Sequence, residues 1–332
     1  MLPNPQSIVE HLRELQRQIR QKIITGRGEP NLDRVSHTTA ADTIYQLDLL
    51  IEPVVEAYCE IWGRETPLVL IAEGIEPESG RVFPHGTRQE DAPLRIILDP
   101  VDGTRGLMYD KRPAWALAGA APNKGSATKL SDIEIAVMTE LPTSKMGWSD
   151  VLWAIKGQGA HAERDNLQAG ESAPLPIRPS QAQSISHGFS MISSFFPGTK
   201  ILAAELMERI AHQLLGPADV TKAMIFEDQY ISTGGQFYEL IMGHDRFNAD
   251  LRPLFYRCLN KQEGLCCHPY DCATLLIAQE AGLQITNGQG QPLDGPLDTT
   301  TGISWSGYAN AALRAQIEPI IENFLREKNP SR

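Results

Sequence analysis

The chain has 332 residues, 42% hydrophobic and 21% charged, which suits one large or two packed folded domains and argues against disorder. Its 30 Lys and Arg stand against 41 Asp and Glu, a net charge of −11, so a nucleic-acid polymer or an anionic membrane is a poor partner and any handling of phosphate needs bound cations. No apolar run is long enough to span a bilayer, the opening MLPNPQSIVEHLRELQRQIR lacks a signal-peptide core, and five cysteines suit a reducing compartment, so a soluble cytoplasmic protein is expected.

Ser7 followed by Glu10 reads as a capping box, and Ile8, Leu12, Leu15, Ile19 and Ile23 then recur at helical spacing. A polar loop over 25–39 leads to a second helix over 48–62, where Pro53 implies an irregular first turn or a later start. The apolar runs LVLIA (68–72) and LRIIL (94–98) read as buried strands, each delivering an acid into a glycine turn: Glu73-Gly74 and Asp99-Pro100-Val101-Asp102-Gly103. Strands follow over 114–122, 133–141 and 151–157. The polar, proline-bearing stretch 166–184 places a domain boundary near 180, giving an α+β domain over 1–180 with most of the candidate ligands and an α/β domain over 181–332. Beyond it come a helix over 200–215, a strand over 222–226, a turn at Gly234-Gly235, a helix over 271–281 stopped by Gly282, and a last helix over 310–325. Strands and helices mix without clean βαβ alternation, which favours α+β layers over a dinucleotide-binding sheet.

In ILDPVDGTRG (97–106) a strand ends at Asp99, Pro100 sets a turn, and Gly103 permits a tight path. Carboxylates at i and i+3 of such a turn, with the Val101 carbonyl between them, offer three oxygens to a hard cation of the Mg²⁺ type. The N–H groups of Gly103 and Thr104 suit a phosphate oxygen. The plain alternative is an ordinary Asp-Pro turn. Glu73 alone reads as a solvated acid, but it repeats the geometry of Asp99, and neighbouring strands would bring both acids to one edge. Asp271 precedes an apolar helix and reads as an N-cap, a metal ligand, or both; Asp48, four residues before Glu52, shares that ambiguity. Cys266-Cys267-His268 with Cys272 lacks the paired arms of a zinc site, and buried thiols are the better reading.

Together these pieces resemble the inositol monophosphatase superfamily, the magnesium-dependent, often lithium-sensitive phosphatases of inositol phosphates, fructose bisphosphate and other sugar phosphates, and phosphoadenosine nucleotides. ILDPVDGTRG is similar to its Asp-Pro-Ile-Asp-Gly-Thr signature, and HPYDCATLLIAQEAG (268–282) to its second signature, Trp-Asp-x-Ala-Ala-Gly ending in Glu-Ala-Gly. DTIYQLD (42–48) is similar to its Asp-x-x-Thr-x-x-Asp segment, KGQGA (156–160) to its Gly-x-Gly-Ala hairpin, and GQFYELIMGHDRFNA (235–249) less closely to a late strand-helix-strand stretch. The resemblance implies an alternating α/β/α/β/α layered sandwich of the sugar-phosphatase type. It implies that Glu73, Asp99, Asp102, Asp271 and the Val101 carbonyl bind two or three Mg²⁺ ions. It further implies that Thr104 with Glu73 positions and deprotonates the attacking water, that Asp48 assists from outside, and that a homodimer is the assembly.

Ala72-Glu73-Gly74 stands where the family has Gly-Glu-Glu, Tyr45 where threonine is usual, Tyr270 where tryptophan is usual, and Thr274-Leu275 where it has a small Ala-Gly pair. Inositol itself is therefore a weaker expectation than a small phosphorylated polyol, sugar or nucleotide in general. Arg105, Arg246, Arg252 and Lys261 are candidates for a second anionic group on the substrate, against ordinary surface charge; Arg105 and Arg252 are the ones assigned to substrate. Two other functions compete. A phosphatase forming an aspartyl-phosphate needs acids at i and i+2, and here they stand at i and i+3. A ligand-binding or regulatory relative without turnover is the other, motivated by the missing glutamate.

Overall fold

Apolar runs with no polar alternation must be covered on both faces, and the first sheet meets that demand with helices on either side. The computed structural model describes residues 2–27, 35–38, 43–75, 77, 79–219 and 221–329, and for residues 35–38, 43, 44 and 48 the backbone alone. In chain order the elements are α1 (Pro5–Gly26), β1 (Val35–Thr38), β2 (Thr43–Tyr45), α2 (Gln46–Glu65), β3 (Leu68–Ala72), β4 (Arg81–Phe83), β5 (Leu94–Asp102) and α3 (Thr104–Met108). Then come β6 (Ala114–Pro122), β7 (Ile135–Leu141), β8 (Trp148–Ile155), β9 (Ala160–Asn166), β10 (Glu171–Pro174), β11 (Phe189–Ile192), α4 (Lys200–Leu215) and α5 (Thr233–Ile241). The chain finishes with β12 (Asp245–Asp250), α6 (Arg252–Cys258), α7 (Leu275–Glu280), β13 (Gln284–Thr286), β14 (Trp305–Tyr308) and α8 (Ala311–Lys328).

Eight strands pair in the order β10-β9-β8-β7-β6-β5-β3-β4, and four in the order β11-β12-β14-β13. Successive residues of a strand face opposite sides, and the two cores divide accordingly. Leu70, Ile96, Leu98, Ala116 and Ala118 pack towards α1 and α2, whereas Ile71, Ile97, Trp115 and Leu117 pack towards α5 and α7. A third core joins the four-stranded sheet to α4, α6 and α8. The layers therefore run α1/α2, first sheet, α5/α7, second sheet, α4/α6/α8, which is the five-layered α+β sandwich expected. Among the described residues no helix is long and apolar enough to cross a membrane.

Several sequence expectations need correction. Helix α1 begins at Pro5, with Asn4 before it in the left-handed region, so Ser7 lies inside the helix and caps nothing. Helix α2 starts at Gln46, earlier than expected, and carries Pro53 inside it. Only a single bridge, Phe189 to Phe226, forms in the segment expected to be a strand over 222–226. Gly234 and Gly235 are not a turn but the first turn of α5, capped by Ser232, whose hydroxyl accepts from the Gly235 N–H. The last helix is capped as its sequence suggests: the Asn310 side chain accepts from the amides of Ala312 and Leu313.

One acid inside the first sheet is poised by its surroundings. Glu140 of β7 is 8% exposed and accepts from the Asp150 amide at 3.1 Å; burial first, and then the Asp150 charge, push its carboxyl up to about 7. A carboxyl raised in the folded state contributes full stability below its unfolded value, near 4.5, and loses that contribution as the pH climbs through about 7. Glu140→Gln keeps an acceptor and removes the charge. The variant is expected to be more stable than the parent by about 2–3 kcal/mol at pH 8.5, with no difference at pH 4. Urea unfolding at the two pH values checks it, and equal midpoints at pH 8.5 contradict it.

Candidate metal centre and catalytic cleft

Strands β3 and β5 are parallel neighbours with Ala72 opposite Leu98, and the Glu73 N–H donates to the Leu98 carbonyl at 3.2 Å. The alternation that sends Ile71 and Ile97 towards α5 and α7 continues one step of two residues to Glu73 and Asp99. Both acids therefore face the same side of the first sheet and line one cleft of about 60 Å³ with Val101, Asp102, Thr104 and Asp271. One carboxylate oxygen from each of Asp99, Asp102 and Asp271 lies within 4.8 Å of the others.

Each acid is held by a different piece of local structure. The expected turn at Pro100 is not formed: β5 runs on to Asp102 with a shift of register against β6 between Asp99 and Asp102, and there the Val101 N–H donates to Asp99 Oδ1 at 3.0 Å. Asp102 Oδ2 accepts from the Ser232 hydroxyl at 2.8 Å and from the Gly234 N–H at 2.6 Å, so the start of α5 cradles it. Gly103 supplies a φ of 97°, which an L residue rarely adopts, and redirects the chain into α3. Thr104 donates its hydroxyl to the Val101 carbonyl at 2.8 Å. Asp271 does not cap a helix, because α7 starts at Leu275 and the expected helix over 271–281 is shorter by its first turn. Its Oδ2 instead accepts from the His268 N–H at 2.6 Å, a side chain closing its own turn.

Segment 268–274 reaches the cleft because two distant motifs lock together. Glu280 at the end of α7 accepts from the Gly157 and Gly159 amides of the β8–β9 hairpin, at 2.7 and 2.8 Å. Gly119 of β6 leaves room for the Ala273 carbonyl, which would stand 2.7 Å from a Cβ there. From the other side, Tyr230 donates to the Pro113 carbonyl at 2.9 Å and accepts from the Trp115 indole at 3.1 Å, fixing the strap that carries Ser232.

The electrostatics are those of crowded, buried carboxyls. Asp99 is 1% exposed, and burial together with Glu73, Asp102 and Asp271 holds its carboxyl well above the usual carboxylate range. Burial pushes Asp102 up to about 7, against the lowering effect of the Ser232 hydroxyl and the Gly234 and Thr233 amides. An all-oxygen donor set with like charges packed together fits a hard divalent ion. Cys266, Cys267 and Cys272 are free buried thiols beside the cleft, as preferred over zinc, with the Cys267 and Cys272 sulfurs 3.5 Å apart. Among the described residues they form no ligand group with His268, whose ring stacks on Tyr270 and meets its hydroxyl at 3.0 Å.

The basic candidates separate. Arg105 lines the cleft, its guanidinium 5.6 Å from the Tyr45 ring centroid and 5.3 Å from that of Phe196. Arg252 also lines it but is 6% exposed, and its Nε donates to Asp250 Oδ1 at 2.9 Å and Oδ2 at 3.0 Å. Its charge is thus paired within the protein by Asp250. Arg246 fastens the Ser184 and Ser186 carbonyls outside the cleft, and Lys261 is exposed elsewhere. Asp48 is the third residue of α2, and its side chain lies outside the described residues. Ser232, Gly234 and the pair Phe195–Phe196 were missed from sequence, although Ser-Thr-Gly-Gly (232–235) carries a readable cap signal.

No family model matches the chain. It is 23% identical over 279 residues to the fructose-1,6-bisphosphatase/inositol-1-monophosphatase of Methanothermobacter thermautotrophicus, covering 83% of this chain and 82% of that protein. Its fold is similar to that of Leishmania major fructose-1,6-bisphosphatase, with TM-score 0.65 and 14% identity over 97% of this chain and 98% of the other. It is also similar to an IMPase of Thermotoga maritima, with TM-score 0.59 and 15% identity over 95% and 96%. By its motif order, its gathered acids and its five layers, the chain resembles the inositol monophosphatase and fructose-1,6-bisphosphatase superfamily along nearly its whole length and has that superfamily's fold.

Proposed function

We propose that the chain is a Mg²⁺-dependent phosphoric monoester hydrolase acting on a small phosphorylated polyol, sugar or nucleotide. The observation that carries this reading is the convergence of Asp99, Asp102 and Asp271, with Glu73 beside them, from three separate stretches of chain on one cleft. These acids and the Val101 carbonyl would hold two or three Mg²⁺ ions. Such ions, when bound, neutralise the phosphate, lower the pKa of water and favour departure of the alkoxide.

The chain's own residues do the rest. Glu73 with Thr104 orients a water for in-line attack and takes its proton, while Asp48 assists from the start of α2. The amides of Gly103 and Thr104 receive a phosphate oxygen, and Ser232 and Gly234 keep Asp102 in position. Arg105 at the rim meets a further polar or anionic group of the substrate. No protein nucleophile is invoked, because the signature acids are spaced i and i+3. Five free thiols suit a reducing compartment, which favours the cytoplasm as the place of action.

Phosphate release measured across inositol, sugar, fructose-bisphosphate and phosphoadenosine esters tests the reading. Release from at least one ester in Mg²⁺, abolished by EDTA and restored by Mg²⁺, is expected; release indifferent to EDTA overturns it. Gly74 in place of a second glutamate supports the regulatory reading, which predicts Mg²⁺ binding with no release from any ester.

A further inference from the structure

All five cysteines are free, and among the described residues one pair brings its sulfurs together: Cys267 and Cys272, 3.5 Å apart and both buried. Cys266, the residue before them, lines the acid cleft, so the pair lies one residue behind the cleft wall. The two thiols flank the turn that carries Asp271. At one end the Cys267 carbonyl accepts from the Ile303 N–H at 2.8 Å, which ties that residue to a neighbouring segment. Its sulfur rests 3.6 Å from the His268 carbonyl and 3.7 Å from the Thr233 hydroxyl. At the other end Cys272 stands before α7 begins, its N–H donating to the Pro269 carbonyl at 3.1 Å. Between them the His268 N–H donates to Asp271.

We propose that Cys267 and Cys272 form an oxidative modification site: hydrogen peroxide closes them into a disulfide that displaces Asp271 and weakens the cleft's hold on divalent ions. The effect on ions rests on the proposed function, whereas the disulfide itself does not. One sulfur attacks a peroxide oxygen, the O–O bond breaks, and a sulfenic acid forms as water departs with the thiol proton. The second sulfur attacks the sulfenic sulfur, the S–O bond breaks, and a second water departs with the remaining proton. Two thiols thus give up two electrons, and one peroxide is reduced to two waters. The oxidant must be close to water in size, because both sulfurs are buried. A disulfide holds its sulfurs at about 2.05 Å, so these two must draw together by about 1.5 Å from their 3.5 Å separation. With Cys267 tied to Ile303, the turn over 268–272 gives way, and that turn contains Asp271 and the His268 amide that holds it.

The full chain is treated with hydrogen peroxide, quenched, unfolded and alkylated, and its mass is read with and without dithiothreitol. The treated parent is expected to be lighter by two hydrogens and to offer three alkylatable thiols, with all five returning after dithiothreitol. Cys266→Ser should still lose two thiols, while Cys267→Ser and Cys272→Ser lose none. In the oxidised parent, the rise in melting temperature on adding Mg²⁺ should shrink and phosphate release should fall about tenfold, both recovering with dithiothreitol. Five alkylatable thiols after treatment, or loss of two thiols in both Cys267→Ser and Cys272→Ser, overturns the site. A disulfide that leaves the Mg²⁺ response unchanged overturns its coupling to Asp271. Absence of phosphate release from every ester in the untreated parent overturns the phosphatase reading instead, and the thiol count still decides the site.

Discussion

Asp99→Asn is expected to lower Mg²⁺-dependent phosphate release by roughly a thousandfold, equivalent to about 4 kcal/mol of transition-state stabilisation, while leaving the fold intact. Asparagine matches aspartate in shape and keeps an oxygen for the Val101 amide, so that hydrogen bond survives. The negative charge that faces Glu73, Asp102 and Asp271 is what disappears. Without cations that charge is a burden: burial and three like neighbours raise the Asp99 carboxyl, so ionising it at neutral pH opposes folding. In EDTA at pH 7.5 the variant should therefore melt at or above the temperature of the parent. Mg²⁺ should raise the melting temperature of the parent and move that of the variant much less. Thermal melts with and without Mg²⁺, alongside the phosphate assay, read all three effects, and parent-like turnover in Asp99→Asn removes Asp99 from the site.

Gly234→Ala should cost about 1–3 kcal/mol of stability through overpacking. It should also cost roughly a hundredfold in turnover, as a displacement near 1 Å of a catalytic support can. The Gly234 N–H holds Asp102, and a Cβ there would press on the Leu117 side chain of β6 and stand 3.0 Å from Asp102 Oδ2. Leu117 lies in the core between the two sheets, so the start of α5 must retreat and take its hydrogen bonds to Asp102 with it. Gly147→Ala serves as the control, because nothing lies within 4 Å of its added Cβ. Urea midpoints and kcat for the two variants check the prediction, and Gly234→Ala behaving like Gly147→Ala contradicts it.

Much of the site was legible because its chemistry is written in short local strings. Glu73-Gly74 and Asp99 to Gly103 each pair a buried strand with an acid and a turn residue, and the structure brings those acids to one cleft. What the strings do not contain is direction. That β3 and β5 run parallel in register, so that Glu73 and Asp99 point the same way, depends on pairing across the sheet. The commitment of Arg252 to Asp250 was missed because an arginine near a candidate site reads as free charge until its partner is placed. The cap at Ser7 failed because Pro5, a residue preformed for a helix start, begins α1 earlier. Phe195 and Phe196 carry no signal in sequence, since an aromatic pair after a strand reads equally well as core.

The link between Glu280 and the β8–β9 hairpin has a bearing on how the protein is made. A ribosome releases Glu73, Asp99 and Asp102 long before Asp271, and the segment carrying Asp271 is fastened only when α7 docks on that hairpin. A nascent chain thus displays three crowded acids with their fourth companion still unsynthesised. Under the proposed function, full ion affinity and hydrolysis are expected only once translation has passed Glu280, and a product that stops short of α7 would keep the acidic hollow of its first sheet without them.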